Sequence, residues 1–320
     1  MSTAPIPHLS PDLLESSHQM HSWRNGVRIG LFVLIYLTSA TLTIQLSLHV
    51  GAWWQWGLLA PLYLLSAASL HGISLFTHEA VHGTLAKNPL LNNLLGALCA
   101  FPVLQTCAAY RVLHLKHHQH LGNDGDPDHY ENYTRWTWMV FLMNWLRLLI
   151  GYPVYITAIP IMGFRQGATR DRWWIAGEVL VLLTLMLLVG FCPIPRTWLL
   201  HGWLIPMLCI NSMVNIRGMS QHTLLEHASD EVLGTRTILT SRLVRFFMCN
   251  ENYHLEHHLY PGVPWYGLPR VHQELREGLR AHGAPYIPTY SSFVWEFVCD
   301  SFRRSPLGWS RRPPQAQNPS

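Results

Sequence analysis

The chain has 320 residues, of which 49% are apolar, 12% are aromatic and only 12% are charged. Because a soluble domain carries about a quarter charged residues, this composition excludes an ordinary soluble protein and indicates a membrane protein. The formal charge of +4 is small and the basic residues are scattered, which argues against nucleic-acid binding.

The N-terminal part predicts a cytoplasmic segment followed by a helical hairpin. Residues 1–28 are polar and lack an apolar stretch with a small-residue cleavage site, so a cleaved signal peptide is not expected. Uncharged apolar runs at 29–50 and 57–76 are each long enough to span a bilayer. The short link between them brings the two spans side by side.

A second pair of spans is predicted at 175–191 and 198–216, joined by the proline-containing turn CPIPRT. Two further apolar stretches, 90–108 and 136–164, are interrupted by prolines together with asparagine or arginine. We expect these two to be re-entrant or interfacial helices. A single full crossing by either would place the histidine groups described next on opposite sides of the membrane.

Eight of the twenty histidines fall in three short groups. HEAVH supplies His78 and His82, HLKHH supplies His114, His117 and His118, and HLEHH supplies His254, His257 and His258. On a helix, the first and fourth histidines of HxxHH share one face, and the fifth lies about 100° further round. One helical turn can therefore offer ligands to two metal ions.

Eight imidazoles are more than one metal ion accepts, since structural zinc has four ligands and catalytic zinc about three. The groups therefore predict two ions, although imidazole suits iron, copper and zinc alike. A metal transporter, the main non-enzymatic alternative, would place ionisable residues near the bilayer midplane, and the predicted spans contain almost none. We expect nearby acids to accept the second ring N–H of the ligands. The candidates are Glu79, Asp124, Asp126, Asp128, Glu251 and Glu256, although Asp124 is equally compatible with a solvated loop position.

The segments HEAVHG, HLKHHQHLGNDGDPDHY and NENYHLEHHLYPGVPWYGLP resemble the three histidine boxes of the membrane fatty acid desaturase and hydroxylase superfamily, over about residues 71–273. The resemblance implies two iron ions, held by the eight box histidines and a ninth. For the ninth it points to His222, with His227 as the alternative. Asn250 resembles a position that contacts the metal through water in some members.

The resemblance also implies a reaction, with dioxygen as co-substrate: desaturation of a fatty acyl chain or an acyl-like amphipathic molecule. The alternative is a hydroxylase or carotenoid ketolase with the same two-iron site. The sequence has no cytochrome b5 haem motif, no nucleotide-binding loop and no cysteine set for an iron–sulfur cluster. We therefore expect a separate electron donor, either a ferredoxin or a cytochrome b5-like protein with its reductase.

These features predict an all-α integral membrane protein with four transmembrane helices, interfacial helices and a histidine-rich, two-iron cap. The desaturase-like membrane domain covers 29–302, and the proline-rich segment 303–320 is expected to be a disordered tail. Basic residues concentrate on one side of this topology, which predicts that both termini and the histidines are cytoplasmic, in a bacterial inner membrane. The six cysteines show no paired spacing and are expected to be reduced thiols.

Overall fold

The computed structural model describes residues 6–134 and 136–303, and this part of the chain is mostly helical. Its α-helices are α1 Pro11–Ser17, α2 Ser22–Ser47, α3 Trp56–Val81, α4 Pro89–Ala100, α5 Cys107–His120, α6 Thr137–Gln166, α7 Thr169–Phe191, α8 Arg196–Leu199, α9 Ile205–His222, α10 Arg242–Phe247, α11 His254–Leu259, α12 Leu268–Ala281 and α13 Tyr290–Arg303. Two short strands, β1 Thr237–Ile238 and β2 Tyr286–Ile287, pair in parallel.

Within the described ranges, five helical segments are long and apolar enough to cross a membrane by length and composition. They are Ser22–Ser47, Trp53–Val81, Trp138–Gln166, Thr169–Phe191 and Arg196–His222. Each predicted span lies largely within one of four of these segments, and the helices extend beyond most of the predicted boundaries. A π-helical turn at Leu200–Leu204 joins α8 to α9, so the last segment is continuous.

The fifth segment, α6, was predicted to be interfacial or re-entrant, and it is kinked at Ile150, where φ is −135° and ψ is 17°. Both of its halves return to the neighbourhood of α5. Gln166 in its last turn accepts a hydrogen bond of 2.9 Å from Lys116, and Arg147 in its first half lines the same cavity as His117.

The other interrupted stretch is bent sharply between α4 and α5. The segments Pro89–Val103 and Cys107–His120 meet at 102°, as in a broken span or a re-entrant loop. Leu104 takes a left-handed φ of 60° at the break. The prediction ended this stretch at residue 108, whereas the chain starts a new helix there that continues through the second histidine group.

Helix α3 lies at the centre of the helical bundle. Small and polar side chains along it let its neighbours approach closely. The hydroxyls of Ser66 and Ser39 of α2 form a buried hydrogen bond of 2.7 Å. A Cβ added at Gly72 would lie only 2.6 Å from the Phe32 ring, so the glycine is needed for this close approach. The same helix ends in the first histidine group, so its packing fixes where those ligands lie.

Helix α7 contributes one buried carboxylate to the bundle. Glu178 accepts the backbone N–H of Ala108 at 3.0 Å, in the first turn of α5. That N–H has no partner within its own helix, so Glu178 stabilises the start of α5 as a hydrogen-bond acceptor. The contact ties α7 to the helix that carries the second histidine group.

The predicted N-terminal segment 1–28 is more structured than expected. Helix α2 already begins at Ser22, and α1 packs through Leu13 on the C-terminal region, where Leu9 donates a backbone hydrogen bond of 3.1 Å to the Tyr260 hydroxyl. All six cysteines are free, as predicted. The predicted tail at 303–320 lies outside the described residues, except for Arg303 at the end of α13.

Candidate metal centre

All three histidine groups lie at helix termini or on short helices, and the fold brings them together. His78 is in the last turn of α3 and His82 follows that helix, the second group lies on α5, and the third forms most of α11. The predicted helical placement of the groups is therefore confirmed. Their imidazoles form two adjacent clusters.

The first, called the five-histidine cluster, consists of His78, His82, His114, His118 and His257, whose ligand atoms all lie within 4.8 Å of one another. Its Nε2 atoms converge closely. His114 Nε2 lies 3.1 Å from that of His82 and 3.0 Å from that of His118, and His118 Nε2 lies 3.2 Å from that of His257.

The second, called the four-histidine cluster, contains His117, His222 and His258, with ligand atoms within 4.8 Å, together with His254. His222 Nε2 lies 3.2 Å from His117 Nε2 and 3.1 Å from His254 Nε2. His254 Nε2 is also 3.1 Å from His258 Nε2. Nine histidines thus present their Nε2 atoms in groups of five and four.

The tautomers of two rings test whether this donor set fits a metal ion. His117 Nδ1 lies 2.9 Å from a carboxylate oxygen of Asp126, and His222 Nδ1 lies 3.1 Å from the Gly234 carbonyl oxygen. Both partners accept only, so the neutral rings carry their protons on Nδ1 and lone pairs on Nε2. Two lone-pair nitrogens 3.2 Å apart repel each other unless a cation lies between them.

The nitrogen spacing agrees with this conclusion. At metal–nitrogen distances of about 2.0–2.1 Å, neighbouring ligands around one ion lie roughly 3.0–3.4 Å apart. His78 Nε2 adds a buried nitrogen without a hydrogen-bond partner in the protein, although it belongs to the five-histidine cluster. A metal ion in each cluster would satisfy these atoms, so the residues fit the expected group.

The imidazoles of the third histidine group are uncharged. Burial, and then the neighbouring imidazoles, hold the pKa values of His254, His257 and His258 well below the usual range of histidine. A neutral imidazole keeps the lone pair that a metal requires.

Glu251 supports the first group from behind. Its carboxylate oxygen lies 2.7 Å from His78 Nδ1, and its other oxygen lies 3.4 Å from the Arg217 guanidinium. Burial alone would raise the pKa of Glu251, but His78 and Arg217 together hold it below its usual value. The charged carboxylate thereby orients His78 with Nε2 directed to the cluster.

The acids singled out from the sequence have different positions. Asp126 is buried and orients His117, and it also accepts the backbone N–H groups of Gly122 and Asp128 at 2.8 Å, which fixes the turn after α5. Burial tends to raise the pKa of Asp126, but the contact with His117 and these N–H groups lower it overall. Asp128 is half exposed, with a carboxylate oxygen 4.0 Å from His117 Nδ1.

The expectation for Glu256 is wrong. Its carboxylate contacts the Thr237 hydroxyl, the His272 ring and the Tyr286 hydroxyl, and not a box histidine. Glu256 follows His254 by two residues, which is about 200° round the helix, so the two side chains lie on opposite faces of α11. It links α11 to β1 and α12 instead.

The expected pairing within HxxHH is also corrected. In both boxes the first and fifth histidines share one cluster, and the fourth belongs to the other. His114 and His118 are in the five-histidine cluster, whereas His117 is in the four-histidine cluster. His254 and His258 are in the four-histidine cluster, whereas His257 is in the five-histidine cluster. Four residues return the chain to within about 40° of the starting direction, whereas three leave it about 60° away.

The two candidates for the ninth histidine lie in different environments. His222 ends α9 and belongs to the four-histidine cluster, whereas His227 is exposed and belongs to neither cluster. Asn250 has a left-handed φ of 58°, and its amide nitrogen donates to the Trp265 carbonyl at 3.0 Å. Asn250 therefore shapes the turn that leads from α10 to Glu251 and α11.

Known proteins with similar sequences were found by comparison. A sequence model of the family described as fatty acid desaturase matches residues 51–290. The chain is 28% identical over 276 residues to a dihydrorhizobitoxine desaturase from Bradyrhizobium elkanii, covering 76% of this chain and 72% of that protein.

Two other relatives are named for lipid substrates. A sphingolipid delta(4)-desaturase from Xenopus tropicalis is 25% identical, with 85% of this chain and 80% of that protein covered. An sn-1 acyl-lipid omega-3 desaturase (ferredoxin) from Nostoc is 22% identical, with 76% and 74% covered.

Proposed function

The chain belongs to the fatty acid desaturase family, and we propose that it is an oxygen-dependent desaturase with two iron ions that acts on a fatty acyl chain or an acyl-like amphipathic molecule. The observation that carries the proposal is the pair of adjacent clusters of five and four histidines. Two clusters that share helices α5 and α11 hold two ions close together.

The proposed chemistry needs both ions next to a C–H bond. When bound, the two irons would use dioxygen and two electrons to remove two hydrogens from neighbouring carbons, and with two protons this yields one double bond and two waters. The residues of the chain hold the imidazoles in position. Asp126 accepts the Nδ1 proton of His117, and a carboxylate oxygen of Glu251 lies 2.7 Å from His78 Nδ1, so both acids would keep the Nε2 lone pairs directed to the ions.

Metal analysis tests this proposal directly. Purified protein in lipid nanodiscs should contain two irons per chain, and oxygen consumption should accompany the loss of two hydrogens from the substrate by mass. One zinc per chain with no iron and full activity would contradict it. Metal binding without any oxygen consumption would favour a storage or transport protein.

The ligand assignment is tested by two histidines five residues apart. We expect His222→Ala to lose iron and turnover about as completely as His257→Ala, because both residues belong to the clusters. His227→Ala is the matched control and should keep both. If His222→Ala retains iron and His227→Ala loses it, the ninth ligand is His227 and not His222.

For the topology we propose that α2, α3, α7 and the α8–α9 segment cross the membrane and that α6 does not. His117 precedes α6 and His222 ends α9, and their Nε2 atoms lie 3.2 Å apart. Two crossings between them keep them on one side, whereas a third crossing by α6 would separate them. By the positive-inside rule that side is the cytoplasm, in a bacterial inner membrane.

Cysteine labelling from each side tests this topology. Lys87→Cys, Asp124→Cys and Ala168→Cys should react with an impermeant maleimide from the cytoplasmic side only. The native Cys192, which is exposed between α7 and α8, should react from the opposite side only and serves as the internal reference. Labelling of Ala168→Cys from the same side as Cys192 would show that α6 crosses.

The same site supports a second outcome, hydroxylation or carotenoid ketolation, in which an oxygen atom enters the product. Product mass separates the two reactions, since desaturation removes two hydrogens and hydroxylation adds one oxygen. For the electrons we propose a separate ferredoxin or cytochrome b5-like donor. Reduction of the purified enzyme by one such donor and its reductase, with stoichiometric oxygen use, tests this partner.

A further inference from the structure

A cavity of about 210 Å³ lies against both histidine clusters. Its lining includes His78 and His114 of the first cluster and His117, His222 and His254 of the second. A molecule in this cavity would therefore lie beside both histidine clusters. The size and polarity of the remaining lining residues indicate which class of molecule fits.

Apart from the clustered histidines, three side chains in the lining carry buried nitrogen atoms without a hydrogen-bond partner among the described residues. They are His71 Nε2, Gln221 Nε2 and Arg217 Nε. His71 and Gln221 are only 1% and 5% exposed, so bulk solvent does not reach them. An unpaired buried polar group costs about 1–3 kcal/mol, and a ligand rich in hydrogen-bond acceptors would remove that cost.

The cavity also contains a second guanidinium. Arg147 of α6 lines it, 5.6 Å from the centre of the Tyr130 ring. A Cβ added at Gly218 of α9 would lie 2.7 Å from Arg147 Nη2, so the glycine leaves the room that this guanidinium occupies. The planar guanidinium fork matches the two oxygens of a carboxylate.

The volume sets the size of the ligand. It lies below the roughly 300–1,000 Å³ typical of ligand pockets, which favours a small molecule. Apolar side chains, including Leu75, Val140 and Val214, also line the cavity, and the carboxylates of Asp126 and Asp128 line it beside His117. The cavity thus combines an acceptor-binding part with a short apolar part.

We propose that the substrate is a small amphipathic carboxylate, whose anionic end binds Arg147, Gln221 and His71 while a short saturated segment lies at the histidine clusters. This inference rests on the proposed desaturase function and narrows its substrate class. A long acyl chain would need an apolar channel that leaves these buried polar atoms unpaired. Bound water alone, the simplest alternative, gives no preference for a carboxylate.

Calorimetric titration of the full chain in lipid nanodiscs, against empty nanodiscs, tests the proposal. The probes are octanoate, octanamide, octyl phosphate and hexadecanoate. We expect octanoate to bind at least tenfold more tightly than octanamide and hexadecanoate, because the amide lacks the charge and the long chain exceeds the cavity. The measurement is made with and without loaded metal, since the binding residues belong to the protein itself.

Variants then locate the binding site. Arg147→Met should weaken octanoate binding by about 10- to 100-fold and leave octanamide binding unchanged, as expected for loss of a charge-assisted contact. Arg147→Lys should restore part of the loss, and Gln221→Leu provides an independent variant. Arg242→Met, at an exposed arginine that begins α10, is the matched control and should bind octanoate normally.

Four results would overturn the proposal: equal affinity for octanoate and octanamide, tighter binding of octyl phosphate, tighter binding of hexadecanoate, or no octanoate binding at all. Its failure is distinguishable from failure of the proposed function. If the protein holds two irons and turns over a long acyl chain with oxygen, the proposed desaturase function is supported and the small-carboxylate substrate is ruled out. If the purified protein binds octanoate tightly but contains no iron and consumes no oxygen, the carboxylate site is supported and the proposed function is contradicted.

Discussion

Helices α3 and α7 are both long and apolar, but they differ in what surrounds them. Within their apolar windows, 61% of the α3 segment is buried and only 17% of α7, although α7 is the more apolar of the two. The more apolar of these two helices is thus the less buried one. The helix that organises the interior is the one that combines apolar residues with small and polar ones.

The polar residues of the two helices also act differently. Along α3, buried Ser66, Ser69, Ser74 and Thr77 lead to His78 and the five-histidine cluster. Helix α7 has one buried acid, Glu178, which reaches the start of α5. Helix α3 carries candidate ligands itself, whereas α7 stabilises α5, the neighbouring helix that carries them.

The largest expected effect is at the end of α3. His78→Ala removes a nitrogen from the five-histidine cluster, and we expect metal affinity to fall by more than the roughly 10- to 100-fold typical of a residue behind a ligand. Iron content per purified chain measures the loss. Leu183→Ala, at an exposed leucine of α7, is the control and should retain all its iron. Equal iron in both variants would remove the distinction between the helices.

A smaller effect is expected one contact further from the ions. Glu251→Gln keeps the shape of the side chain but loses the charge that orients His78, so we expect a loss of about 10- to 100-fold in iron affinity. The matched variant is Glu256→Gln, whose carboxylate contacts Thr237 and His272 and no box histidine. Iron affinity in Glu256→Gln should stay near that of the parent, and the reverse order would contradict the assignment.

On α7, the expected effect is on stability and not on metal ligation. Glu178→Leu leaves the Ala108 N–H without its acceptor, which should lower the free energy of unfolding by about 1–3 kcal/mol. Glu178→Gln retains an acceptor oxygen and should lose less. Thermal unfolding in nanodiscs ranks the variants, and a Leu variant as stable as the parent would show that the contact contributes nothing.

The finest comparison uses one glycine in each helix. Gly72→Ala on α3 places a Cβ 2.6 Å from Phe32, and the forced displacement should cost about 1–3 kcal/mol. Gly177→Ala on α7 meets no atom within 4 Å and should change stability by less than about 0.5 kcal/mol, or stabilise the helix slightly. Equal unfolding temperatures would mean that α3 is no more tightly packed than α7.

Much of this arrangement was predictable from spacing alone. Histidines four apart mark a helix face whatever surrounds them, and long uncharged runs mark candidate spans. The division of the histidines into two clusters was not predictable. The side chains at i+3 and i+4 point in directions only about 100° apart, and the neighbouring helices decide which side chain joins which cluster. Glu256 lies inside a box and was wrongly expected to support a ligand. Glu251 was expected among the same acids, but its position behind His78 depends on a left-handed turn at Cys249 and Asn250 that no local pattern predicted.

The five-histidine cluster has a consequence for how the protein is made. His118 and His257 are 257 − 118 = 139 residues apart, so at about 5–20 residues per second the ribosome needs roughly 7–28 s to deliver the last imidazole. Meanwhile the nascent chain presents His78, His82, His114 and His118, four ligands, the number that closes a structural zinc site. Zinc captured in that interval would compete for the cluster with the iron that we propose it holds, so the timing of metal supply would matter as well as affinity.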